Sequence, residues 1–154
     1  MPYADEKYLQ EIVTTYLIEK AEKPICYSRA YYYWKKFRCL SRFFKNELKR
    51  KKGKIKVIDV GCGLSANLFF LNEDFGKDAP LEFHGIDLSL THIYYCNLRK
   101  SKAQAKNFTF AVGNAENLAL PDNSFDILIS MDILEHLRYP DRAVQEFYRI
   151  LKPN

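Results

Sequence analysis

The apolar runs of this 154-residue chain predict an α/β protein. The expected fold is a parallel sheet of about four strands with helices on both faces, preceded by N-terminal helices. Two observations carry this. From residue 54 onward, short β-branched runs alternate with stretches of helical periodicity. A glycine turn joins the first of these strands to its helix. Length adds a bound: the chain is enough for one core and too short for two.

The elements follow in order. Over residues 4–20, Leu9, Ile12, Val13, Tyr16 and Leu17 recur at helical spacing, and Pro24 breaks the pattern. From Ser28 to Arg50, Ala30, Trp34, Phe37, Leu40, Phe44 and Leu48 share one broad face, and Gly53 ends the segment. Residues 1–53 thus read as a helical cap and 54–154 as the sheet domain. "KIKVIDV" is a buried strand, "SANLFFLNEDF" a helix and "LEFHGIDL" a second strand. "SLTHIYYCNLRKSKAQA" is a helix with Ser89 as its N-cap. "FTFAVGNA" is a third strand; the turn "LPDNS" introduces a fourth, "FDILISM". "PDRAVQEFYRIL" closes as a helix, with Pro140 in its first turn and an apolar stripe of Ala143, Val144, Phe147, Ile150 and Leu151.

Composition excludes some classes. Net charge is only +5, and the densest basic run, Lys45–Lys56, reads as a solvated helix end suited to the negative pole of the helix dipole rather than a nucleic-acid patch. Cys26, Cys39, Cys62 and Cys96 form no CxxC pair, and His84, His92 and His136 have no ligand spacing with them, so no metal is expected. Scattered cysteines suit a reducing compartment. The N-terminus lacks an apolar signal core and no run approaches a membrane span. A soluble, cytoplasmic protein with no membrane partner is expected.

The turn "DVGCGLSA" is the chemical centre. Gly61 and Gly63 permit backbone angles and close approach that a side chain would block. The following helix points its first N–H groups at whatever sits there. With Ala66 the pattern is G-x-G-x-x-A, which a dinucleotide site also allows. Asp59 tilts the choice. Beside a pyrophosphate it would meet like charge; beside the ammonium of a methionine moiety it would gain. It could instead cap its own loop. Asp87, closing the second strand, can accept ribose hydroxyls of either cofactor class, or cap the helix after it.

The runs "VIDVGCG", "GID", "GNAENLALPDNSFDILIS" and "MDILEHL…P…A…EFYRILKP" resemble the S-adenosylmethionine-dependent class I methyltransferases, Rossmann-like enzymes. The likeness is strongest to the group holding the ubiquinone and menaquinone C-methyltransferases, and spans Lys56 to the C-terminus. It implies S-adenosylmethionine as cofactor. Asp59, Gly61, Cys62 and Gly63 would surround the methionine part; Asp87 would bind the ribose and Leu88 would pack on adenine. Asn114, Ala115 and Glu116 would read the adenine edge, with Asn114 replacing the commoner Asp and also explicable as a plain turn residue. Ser130 and Met131 would face the methionine moiety. His136 is the candidate catalytic base, though "EH" reads first as a packing or loop-ordering pair. Tyr31–Trp34 read as core or lid packing before pocket lining.

The implied reaction is methyl transfer to a small-molecule acceptor. The sequence leaves that acceptor unnamed. Relatives continue past the Lys-Pro turn into further strands, so the resemblance implies a truncated chain. Its fourth strand would be an uncovered edge open to self-association. The alternatives are an inactive cofactor-binding partner subunit, an RNA methyltransferase using Lys49–Lys56, and an NAD-dependent oxidoreductase.

Overall fold

A computed structural model describes residues 27–153, with side chains from Lys35 onward. The helix expected over 4–20 and the side chains of Tyr31–Trp34 lie outside the described residues. The elements are α1 (Tyr27–Arg50), β1 (Ile55–Val60), α2 (Ala66–Phe75), β2 (Leu81–Asp87), α3 (Leu90–Lys102), β3 (Phe108–Val112), β4 (Ile127–Ile129), a 3-10 turn (Leu134–His136) and α4 (Pro140–Ile150). The chain forms two compact units that meet in sequence between Lys45 and Asn46, inside α1. In the first, α1 buries Phe37, Leu40, Ser41 and Phe44.

The second unit holds a four-stranded sheet in the order β3-β2-β1-β4, every pair parallel. β1 pairs Asp59 with Gly85 of β2 and with Ile129 of β4, so the carboxyl ends of these strands come out together. Alternation along β1 splits the core. Ile58 and Val60 join Ile86, Leu118, Phe125, Ala143 and Ile150 on the α4 side. On the other face, α2 sends Phe69 to stack on Phe108 at 4.7 Å, and Phe83 lies 4.9 Å from Phe108. Burying large aromatics on a sheet face contributes roughly 2 kcal/mol each.

Several boundaries differ from the sequence reading. Ser65 sits at φ 61, so the helix starts at Ala66. α3 stops at Lys102 rather than Ala105, because Gln104 turns left-handed (φ 51) and the Ala105 N–H returns to Lys100 O. β3 ends at Val112, where Asn114 and Asn117 close their own turn. β4 is three residues long. At its start, Asp126 takes the Lys56 N–H at 2.9 Å and pairs with Lys51 and Lys152. β3 and β4 are the sheet edges; beside β4, Leu151 makes one parallel bridge to Phe125.

Candidate functional site

Ligands of parallel sheets bind beyond the carboxyl ends of the strands. Here that end is built from the turn after β1, the end of β2, the loop after β3 and the segment after β4. The turn is held from within. The N–H groups of Gly61 and Cys62 both donate to Ile86 O, at 2.7 and 2.9 Å. The Gly63 N–H donates to Asp87 Oδ2 at 2.8 Å. Gly61 (φ 76) faces Ile133: a Cβ there would lie 3.0 Å from Ile133 Cγ1. A Cβ on Gly63 would meet nothing within 4 Å, so its backbone borders open space.

Asp87 is oriented on both oxygens. Besides Gly63, the Ser89 N–H donates to Oδ1 at 2.9 Å, and His92 Nδ1 lies 3.1 Å from the same atom. Ser89 caps α3 as its spacing predicts, accepting from the His92 N–H at 3.3 Å. Leu88, beside it, is 74% exposed, a free apolar surface at the mouth of the site. These bonds bear on cofactor class. A pyrophosphate cradle needs outward N–H donors. Here the donors of residues 61–63 are committed to a carbonyl and a carboxylate, which leaves negative charge at the turn.

Asp59 is fully buried and accepts from Asn67 Nδ2 at 3.0 Å. Its carboxylate reaches the site through its field, which low-dielectric surroundings strengthen. Cys62 is also buried, and its Sγ and that of Cys96 both point to Gly63 O, at 3.7 and 3.3 Å. Its hydrogen bond with Cys96, then burial, then the charges of Asp59 and Asp87, push the Cys62 thiol well above the usual range. Its burial fits a packing role for Cys62 beside the turn.

In the third loop, Asn114 Oδ1 accepts the Glu116 N–H at 2.9 Å, while Ala115 is buried. The Glu116 carboxylate turns away from this loop: Oε1 accepts the N–H groups of Arg138 and Tyr139 at 2.9 and 3.0 Å. After β4, the Ser130 hydroxyl is buried with no hydrogen-bond partner among the described residues. Met131 is half-buried, and His136 is exposed on the 3-10 turn. Asn67, His92 and Asp132 were not legible as site residues. Asn67 and His92 act as partners of Asp59 and Asp87; Asp132 holds a left-handed φ of 57 in the segment after β4. No sequence pattern marks them.

The methyltransferase domain family matches residues 58–154. The chain belongs to this family. Within it, this methyltransferase domain is similar to phosphoethanolamine N-methyltransferase 3 of Arabidopsis thaliana, 34% identical over 98 residues, covering 64% of this chain and 19% of that one. It is 32% identical over 100 residues to the fatty-acid O-methyltransferase of Mycolicibacterium smegmatis, covering 64% and 34%. The solved [4+2]-cyclase SpnF superposes with a TM-score of 0.62 at 27% identity, covering 73% of this chain and 41% of that one. The chain thus spans about one fifth to one third of the length of these curated relatives. No helix among the described residues is long and apolar enough to cross a membrane.

Proposed function

We propose that this methyltransferase domain binds S-adenosylmethionine at the carboxyl ends of β1, β2 and β3 and serves methyl transfer to a small-molecule acceptor in the cytoplasm. The observation that carries this is the glycine turn itself: the N–H groups of Gly61, Cys62 and Gly63 are committed inward, where a diphosphate would need free donors, and the carboxyl of Asp59 lies buried at its base. Asp87 suits the ribose hydroxyls of either cofactor class, whereas Asp59 and the committed turn donors favour a cationic methionine end over a diphosphate. The open face of Gly63 supports the fit.

Asp87 would accept from the ribose through its remaining lone pairs, held in place by Gly63, Ser89 and His92. Leu88 would cover the adenine face. The Ala115 N–H would meet the adenine edge, and Asn114 would hold that loop in shape through Glu116. Asp59 would bias the site toward the ammonium and sulfonium charges. Gly61, Cys62, Ser130 and Met131 would wall the methionine part. The bound cofactor supplies a methyl group on sulfur, transferable in line to a nucleophile. The protein's part is alignment and exclusion of water. Asp132 and His136, after β4, would face the acceptor, as hydrogen-bond acceptor for an amine and as proton acceptor in turn.

The relatives act on phosphoethanolamine and a fatty acid by name, and one solved neighbour is named a cyclase, so the transfer itself has to be assayed. Calorimetry decides the cofactor. S-adenosylhomocysteine is expected to bind one to one and NAD not at all, with Asp87→Ala weakening the former by about tenfold. No heat with S-adenosylhomocysteine, or equal binding of NAD, overturns the reading. Labelled methyl transfer to small amines and carboxylates then separates an enzyme from a cofactor-binding partner subunit.

A further inference from the structure

Glu116 belongs by sequence to the loop after β3, yet its carboxylate serves a segment more than twenty residues away. Oε1 accepts both the Arg138 and the Tyr139 N–H. These are donors at the amino end of α4, whose N-cap, Tyr139, makes no side-chain cap of its own. Glu116 therefore pins the backbone leading into α4, at the N-cap and the residue before it, from outside the helix. Its own N–H is tied to Asn114 Oδ1 at 2.9 Å, so carboxylate and loop move together.

The segment held at this end, residues 131–139, carries the left-handed Asp132 and the turn with His136. Near its other end Ile133 fills the space above Gly61. The segment is thus touched by the turn after β1 through packing and by the loop after β3 through Glu116. It is the part of the site that follows β4, beyond the strand ends where ligands of such sheets lie.

We propose that Glu116 is a positioning residue that couples occupancy of the cofactor loop at Asn114–Ala115 to order in the acceptor-side segment 131–139. This rests on the cofactor reading above. A ligand that fixes the Ala115 backbone also fixes Glu116, and through it the Arg138 and Tyr139 amides. The acceptor side then becomes ordered when the cofactor is in place. By reciprocity, ordering of that segment by an acceptor tightens the cofactor loop.

Amide hydrogen exchange on the full chain, with and without S-adenosylhomocysteine, tests this. In the parent protein the ligand is expected to slow exchange in residues 113–117 and, by about fivefold or more, in 131–139. In Glu116→Ala the first protection remains and the second falls to less than about twofold. Glu116→Gln, whose amide oxygen still accepts both donors, restores it. A merely structural role would raise exchange in 131–139 equally with and without ligand. Glu116→Asp keeps the charge and shortens the reach; it serves if the alanine variant does not fold, and is expected to lose the second protection likewise. Full ligand-induced protection of 131–139 in the alanine or aspartate variant overturns the proposal. So does a parent protein that binds the ligand, as seen by calorimetry, without protecting that segment. Absence of binding to the parent overturns the cofactor reading and the coupling with it.

Discussion

The turn after β1 and the connection from β3 to β4 serve one parallel sheet but are held by different forces. The turn is fixed chiefly by backbone bonds and steric exclusion: Gly61 and Cys62 donate to Ile86 O, Gly63 adds one bond to the Asp87 carboxylate, and Ser65 and Cys62 are buried. The loop is fixed by long polar side chains. Arg149 makes five hydrogen bonds, to Glu146, Asp122 and the carbonyls of Leu118 and Leu120. Glu146 takes the Leu118 N–H at 2.7 Å. The difference separates two kinds of order. Packing and backbone bonding are nearly indifferent to salt and acid, whereas charged clamps at a surface respond to both.

Gly61→Ala should break the first kind outright. The new Cβ would stand in the left-handed region (φ 76) and lie 3.1 Å from Ile133 Cβ. Strain and overpacking together should cost roughly 3 kcal/mol. Gly76→Ala is the control: its φ is 82, but nothing lies within 4 Å. Its ψ of 161 puts it in a region that glycine alone adopts readily, so backbone strain by itself should cost roughly 2 kcal/mol. Urea unfolding of the two variants measures the difference. Equal losses would mean that Ile133 yields and the turn is not sterically locked.

Ser65→Gly should act in the opposite direction. Ser65 is fully buried at φ 61, and its hydroxyl has no hydrogen-bond partner among the described residues. Glycine removes both the strained angle and the buried hydroxyl, at some cost in chain entropy. A gain of about 1 kcal/mol, or about 3 °C in Tm, is expected by thermal unfolding. A loss would show that the hydroxyl does bond inside the turn.

The same contrast explains what the sequence made legible. Strand and helix order, the Ser89 cap and the Pro140 start are local facts, carried by periodicity and by residue types with one preferred place. Gly61, Gly63 and Asp87 were legible because glycine spacing and a strand-end carboxylate are also local. The Glu116 carboxylate reaches Arg138 and Tyr139, a bond that the sequence reading does not contain. Nothing local announces a bond across more than twenty residues. The end of α3 was misplaced for a related reason: Gln104 takes the left-handed position usually marked by glycine. Asp59 is expected around the methionine part or as a cap of its own loop, and its enclosure against Asn67 is visible only in the tertiary structure.

The smallest change tests the second kind of order most directly. The hydrogen bond from Arg149, opposed by burial and aided by the Leu118 N–H, holds the Glu146 carboxyl below its ordinary value of 4.5. A carboxylate with a depressed folded pKa adds stability in full above its unfolded pKa and loses it as pH falls through the folded one. Glu146→Gln keeps an oxygen for Leu118 but gives up the charge. Its Tm should fall by about 2 °C at pH 7, as for a surface pair. The deficit should shrink as pH drops below 4.5 and vanish once the parent carboxyl is protonated. High salt at pH 7 should shrink it as well. The Gly61→Ala deficit should persist through both titrations. A Glu146→Gln deficit that is flat with pH would show that this loop, like the turn, is held by packing rather than charge.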